Sequence, residues 1–214
     1  MLERAGCAYR FKRAPWKRTV AEVRAGTIEL ATGASFTEER GEFARFSHPY
    51  RREYMTLFMR RVDLERYPLT TLAGLTAYPE LRVAALAGSW YGHEFDHQMR
   101  DNARFRRMVH LNTDYVLLFR WLKLGRMDVV LNDLYNGLHL LGEVGALELM
   151  DVHPYVVNDN FVHIMLSRRA TSEADYRRIN DAITALRKEG AISRIIGRYI
   201  PSSYSRFFID ETGG

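Results

Sequence analysis

The chain has 214 residues, 47% apolar and 27% charged, with a formal net charge of +5. That apolar share excludes a disordered chain, and the length allows one large domain or two lobes of about 100 residues each. Cys7 is the single cysteine, which excludes an internal disulfide and a paired-cysteine metal site.

The positive balance permits an acidic partner without demanding one. Its basic residues are scattered, from Arg10, Lys12, Arg13, Lys17 and Arg18 to Arg51, Arg52, Arg60 and Arg61 and on into the last helices. Nucleic-acid binders concentrate charge on one face and interleave stacking aromatics, so solvated helix faces are the reading here and no nucleic acid is expected. The most apolar run, DYVLLFRWLKL, is broken by Arg120 and Lys123 and falls short of the roughly 20 residues of a membrane span. MLERAGCAYRFKR has no apolar core of the length a signal peptide needs.

In chain order, PWKRTVAEVRAG sets Trp16, Val20 and Val23 at helical spacing and ends on Gly26, a C-cap. TIELATGA predicts a short buried strand. EYMTLFMRR (Glu53 to Arg61) predicts a second, leading into the turn-prone DLERYPLT. A helical turn follows at Thr71 to Leu75, a strand at RVAALAG (Arg82 to Gly88), and a helix through SWYGHEFDHQMRD beginning near Ser89. MVHLN reads as a strand and TDYVLLFRWLKLGR as an apolar helix closed by Gly125. MDVVLND is then a buried strand, and LYNGLHLLGEVG a helix up to Gly145. LELMDVHPY and DNFVHIMLSRR are both extended. SEADYRRINDAITALRKEG (Ser172 to Gly190) opens on a capping residue and ends in glycine, and AISRIIGRYI adds a short helix.

Strands alternating with helices predict an α/β fold of parallel-rich sheets flanked by helices. EYMTLFMRR and DNFVHIMLSRR lie about 100 residues apart and bracket a compact block. The simplest arrangement is an inserted lobe, residues 62–160, within a discontinuous lobe of residues 1–61 plus 161–214.

Ligands of open α/β sheets sit outside the carboxyl ends of strands, where helix N-termini present free N–H groups. Three strand ends here carry a polar or glycine residue: Gly33 to Ser35, Gly88 and Ser89, and Asn132 and Asp133. Thr37 can cap a helix whose first turn holds Glu38 and Glu39, and Arg40 one turn on can fold back toward the strand end. Arg40, Ser35 and a backbone N–H would hold a carboxylate by charge-assisted bonds of about 1.5–3 kcal/mol each. Asp133 supplies the opposite sign for an amino group. Spacing alone equally allows Arg40 to pair with Glu42 or another surface acid, with Gly33 and Ser35 making only a turn.

ELATGASFTEERGEFARFSHPYRREYMTLFMRR resembles the signature segment of the bacterial solute-binding proteins of family 3, the amino-acid-type receptors of ABC transporters. The carriers of the likeness are Gly33, Ser35, Arg40 and the run Phe46-Ser47-His48-Pro49-Tyr50. RVAALAGSWYG resembles the family's second-lobe strand and glycine turn, GRMDVVLND the strand ending in an acidic ligand residue, and RRINDAITALRKEGAISRIIGRYI the closing helices. The resemblance covers nearly the whole chain in order. It implies a two-lobed, type II periplasmic-binding-protein-like clamshell that shuts on a small carboxylate-bearing solute, probed by a membrane permease or sensor. Arg40 and Ser35, helped by Gly33 and the Gly88–Ser89 turn, would hold the carboxylate, and Asp133 the amino group. Trp90 and Tyr91 stand where amino-acid binders carry smaller residues, with Trp90 in ligand-binding position. The resemblance further implies a monomeric periplasmic protein that is not an enzyme and uses no cofactor. Alternatives are a sensing module of the same fold or a cyclohexadienyl-dehydratase-like enzyme with Asp133 as its acid.

His93-Glu94-Phe95-Asp96-His97 matches the H-E-x-x-H pattern, in which two helical imidazoles bind zinc beside a glutamate base. Asp96 stands where an apolar residue anchors such a helix, and Ala103 occupies the nearby third-ligand position, so a zinc peptidase is the weaker alternative. His110, His153 and His163 lie on separate extended runs and read as structural, and the Val116–Leu124 stripe reads as core. Family members open with a strand, loop and helix ahead of the part matching Glu3 to Gly6, so a longer natural product with an export signal and first strand is expected. Three buried apolar side chains of that strand are worth about 1.5–3 kcal/mol each, against a whole-protein stability of about 5–15 kcal/mol. An N-terminally extended chain should therefore melt several degrees above this one; equal melting temperatures and equal ligand binding would refute the missing strand.

Overall fold

The computed structural model describes residues 1–201 and Tyr204; the rest of the expected 161–214 segment lies outside the described residues. The chain divides into two compact units, Met1–Arg52 with Asn160–Gly214 and Glu53–Asp159. Among the described residues no helix is long and apolar enough to cross a membrane.

In the first unit, α1 (Trp16–Ala25) starts after Pro15 and stops at Gly26, whose φ of 78° lets its N–H reach the Glu22 and Val23 carbonyls. β1 (Leu30–Ser35) and β2 (Ala44–Phe46) both pair antiparallel with the end of β7 (Met150–Ser167). Side chains of β7 alternate in their allegiance. Met165 packs with Val23, Ala31, Ala34 and Ala44 under Trp16 and Val20 of α1. Ile164 and Leu166 instead bury against Ile179, Ala182 and Ile183 of α7 (Glu173–Lys188), joined by Leu2 and Ala5. A capping box of Ser172 and Asp175 opens α7, and α8 (Ala191–Tyr199) follows it.

In the second unit, β3 (Arg51–Arg60) pairs antiparallel with β6 (Val129–Asp133) from Met55 onward. β6 runs parallel to β4 (Val83–Leu86), and β4 parallel to β5 (Val109–Asn112). Four helices join these strands: α3 (His93–Asp101), α4 (Ala103–Met108), α5 (Tyr115–Lys123) and α6 (Leu134–Glu143). Met55, Leu57, Met59, Val129 and Leu131 share one core with Tyr91, Phe95 and Phe105. Phe58, on the alternate face, meets Phe119 of α5 with ring centroids 5.3 Å apart.

The sheet is mixed, because β1, β2 and β3 take antiparallel partners from far along the chain, whereas the strand–helix alternation predicts parallel neighbours. The two runs LELMDVHPY and DNFVHIMLSRR form one 18-residue strand, β7. The helix expected from Ser89 begins at His93, because Gly92 sits at φ 100°, a region that admits only glycine, against the Asn158 side chain. ARFRRM makes an additional short helix, α4, capped by Asn102, which accepts from the Arg104 and Phe105 N–H groups.

Asp128, in the GRMD run, ties this unit together. It accepts from the Arg82 backbone N–H at 3.0 Å, from Arg82 Nε at 2.9 Å and from Arg60 Nη2 at 3.1 Å, while Arg60 Nε holds Asp63 at 2.6 Å. Burial by itself raises the Asp128 pKa, but the Arg82 and Arg60 hydrogen bonds outweigh it and hold the carboxyl below its ordinary value. A depressed folded pKa stabilises above the unfolded value of about 3.9 and is lost as pH falls through the folded one. Asp128→Asn should thus cost on the order of 3 kcal/mol at pH 7, and denaturant melts should show that gap closing below about pH 4. A gap that is independent of pH would refute the ion-pair origin. At Gly137 of α6, an added Cβ would fall 2.1 Å from Phe58 Cζ. Gly→Ala in a helix normally stabilises by about 1 kcal/mol; Gly137→Ala should instead lower the melting temperature by several degrees through overpacking, and Phe58→Leu should restore part of the loss.

Candidate functional site

In the first unit the expected residues come together at the end of β1. Arg40 is only 7% exposed, and its Nη1 donates to the Ser35 carbonyl at 3.0 Å. Its guanidinium carbon lies 5.6 Å from the centroid of the Trp16 ring, a cation–π contact. The turn that folds Arg40 back is made as the sequence predicts: Thr37 Oγ1 accepts the Arg40 N–H at 3.2 Å and caps α2 (Glu38–Phe43). The neighbouring acid Glu39 reaches Arg24 at 2.6 Å. Ser35 is 4% exposed.

Gly33 lies in a bulge within β1, where the register shifts between Ala31 and Ala34, and its φ is 75°. Its N–H donates to the Tyr50 hydroxyl at 2.9 Å, so this donor already has a partner within the unit. Tyr50 belongs to the FSHPY run, but only the tertiary pairing shows its phenol reaching a strand-end N–H.

In the second unit, β4 and β6 are parallel neighbours, with Val83 opposite Val129 and Ala84 opposite Val130. Both strands therefore end at one edge of the sheet, which places the Gly88–Trp90 loop beside Asp133. Gly88, at φ 83°, makes the turn in which the Ser89 N–H reaches the Leu86 carbonyl at 3.3 Å. Trp90 is half-buried and meets His93 edge-on at 5.6 Å. Tyr91, 1% exposed, is a core residue whose hydroxyl accepts the Leu86 N–H at 2.7 Å. Burial pushes its phenol well above the ordinary pKa, so the group remains protonated.

Asp133, 4% exposed, is the last residue of β6 and the cap of α6, its Oδ1 accepting the Asn136 N–H at 3.1 Å. Asn132 supports it from below, with Oδ1 accepting the Asp133 N–H at 2.8 Å and the Asn136 side-chain amide at 3.2 Å. Sequence reasoning overlooked Glu53, which is 4% exposed. Met55 stands opposite Asp133 in the register, and the two-residue period of β3 puts Glu53 on the same sheet face. The signal was present as a lone acid leading an apolar strand.

The H-E-x-x-H residues serve the fold. Glu94 accepts the Leu72 N–H at 2.7 Å through Oε1 and the Tyr155 hydroxyl through Oε2, while His97 Nδ1 reaches Asp101 at 2.8 Å on the surface. Among the described residues no group of three His, Cys, Asp or Glu side chains could hold a metal. His163 Nδ1 donates to the Ser47 carbonyl at 2.6 Å; His153 donates through Nε2 to the Tyr67 carbonyl and accepts the Tyr155 N–H at Nδ1, each at 3.0 Å. His110 is exposed on β5.

Several solved structures share the fold. ArgBP from T. maritima is 18% identical with a TM-score of 0.73, covering 92% of this chain and 80% of that one. An amino acid ABC transporter substrate-binding protein from Streptococcus pneumoniae, bound to L-arginine, is 19% identical with a TM-score of 0.75, covering 92% and 78%. A histidine kinase sensor domain with similarity to periplasmic binding proteins is 18% identical with a TM-score of 0.71, covering 93% and 81%. No curated protein matches the sequence. The profile of the bacterial extracellular solute-binding proteins, family 3, matches residues 1–202. This chain belongs to that family, and its α/β fold is that of the type II periplasmic-binding proteins.

Proposed function

We propose that this protein captures a small zwitterionic solute, an amino acid or close relative, outside the cytoplasm and presents it to an ABC permease. The observation that carries this is Arg40: a buried guanidinium, always charged, held back against the end of β1 by the Ser35 carbonyl and the Trp16 ring. A fixed cation at a strand end is the chemistry a carboxylate needs. In this reading Arg40 and Ser35 bind the carboxylate, Gly33 shapes the bulge that positions them, and Asp133 takes the amino group. Ser89, on the Gly88 turn, contributes a hydroxyl and Trp90 an apolar wall. A substrate-binding protein of similar fold bound to L-arginine, and the GluR0 ligand-binding core of similar fold in complex with L-glutamate, support the ligand class. The histidine kinase sensor domain of similar fold supports a sensing module as the second reading.

A thermal-shift screen of the twenty L-amino acids and small carboxylates tests the proposal. A ligand at 100 times its Kd adds about 2.7 kcal/mol, or roughly 5–10 °C in Tm for a chain of this size. Arg40→Ala should weaken a carboxylate ligand by at least about 100-fold, the worth of one or two charge-assisted bonds. A solute bound equally well by that variant overturns the carboxylate assignment, whereas its turnover would overturn the binding-only reading.

A further inference from the structure

At the end of β1 the first unit carries a strip of aromatic rings beside the cradle. Ser35 stands opposite Val162 of β7 and Ala34 opposite His163. The two-residue period of a strand puts Phe161, His163 and Met165 on one sheet face, where Met165 packs with Ala34, Phe46 and Trp16. Phe46 meets Phe36 edge-on with ring centroids 5.2 Å apart, and His163 edge-on at 5.9 Å. Gly41 of α2 leaves room for the Phe36 ring, whose Cε2 would lie 3.2 Å from an added Cβ. Packing within the unit uses only part of this surface. Phe36 is 50% exposed and Phe161 42%, although both adjoin the buried Ser35, one along the chain and one diagonally across the ladder.

The strip itself is uncharged. Burial lowers the His163 pKa below its ordinary value, so that ring is neutral at pH 7. Two guanidiniums already lie over aromatic faces here, Arg40 at 5.6 Å from the Trp16 centroid and Arg52 at 5.3 Å from that of Phe161. A cationic side chain laid along the strip would meet like charge, and an anionic one would lose its hydration against carbon. An apolar one would exchange water for carbon contact on both sides.

We propose that Phe36 and Phe161 form the side-chain subsite of the solute site, and that the captured solute bears a neutral apolar or aromatic side chain. The inference rests on the solute-capture reading, with Arg40 and Ser35 on the carboxylate. A ring or branched chain on the carbon next to that carboxylate would cover Phe36 first and Phe161 beyond it. It would remove from water the two aromatic surfaces that the unit's own packing leaves open.

Isothermal titration calorimetry with L-phenylalanine, L-leucine, L-alanine, L-glutamate and L-arginine tests the subsite. L-Phenylalanine or L-leucine should bind at least about tenfold more tightly than the other three, the effect of burying one large apolar side chain. Phe36→Ser and Phe161→Ser should each cut that preference over L-alanine by about fivefold or more, and Phe36→Leu should retain the preference for L-leucine. The unliganded melting curve shows whether each variant is folded, and Phe161→Ser keeps the test open if Phe36→Ser is not. Tightest binding of L-arginine or L-glutamate, unaltered in the serine variants, overturns the subsite and leaves the capture reading standing. An equal loss for every ligand in both variants marks the rings as structural and overturns it too. If none of the twenty L-amino acids binds, the capture reading fails and the subsite with it.

Discussion

The structure turns on a buried guanidinium. Arg40 cannot lose its proton, and 7% exposure leaves little water to solvate it, so its surroundings have to provide acceptors and polarisable faces. The Ser35 carbonyl and the Trp16 ring do part of this. Three separate elements are needed to bring them together: α1 for the ring, the end of β1 for the carbonyl, and the Thr37-capped turn that sends Arg40 backward. A permanent charge held at a strand end, where open α/β sheets bind their ligands, is the reason for reading it as functional.

A second constraint recurs in both units. Strand ends leave backbone N–H groups without ladder partners, and burial makes an unmet donor expensive. In the first unit the Tyr50 hydroxyl takes the Gly33 N–H, and in the second the Tyr91 hydroxyl takes that of Leu86. Each phenol stabilises a loop beside a proposed binding residue.

Two conspicuous sequence patterns prove to be structural. Asp128 in the GRMD run neutralises Arg82 and Arg60 at the foot of β6, and Glu94 of the H-E-x-x-H run joins Leu72 to Tyr155. In both, an acid is occupied by donors from distant parts of the chain. A carboxylate whose lone pairs are shared among backbone N–H, guanidinium or phenol groups stabilises the fold rather than serving as a metal base.

The sequence by itself determined most of the elements, the Thr37 and Ser172 caps, the glycine stops at Gly26, Gly125 and Gly145, and the order of motifs that marks the family. Each of these depends on residues within one or two turns, where propensity and periodicity act. Only the tertiary structure decided that the sheet is mixed, that Gly33 is a bulge whose N–H belongs to Tyr50, that Asp133 caps α6, and that Glu53 shares its sheet face. Those outcomes depend on which distant strand lies alongside and which side chain reaches an orphaned donor. A local pattern of residues has no access to either.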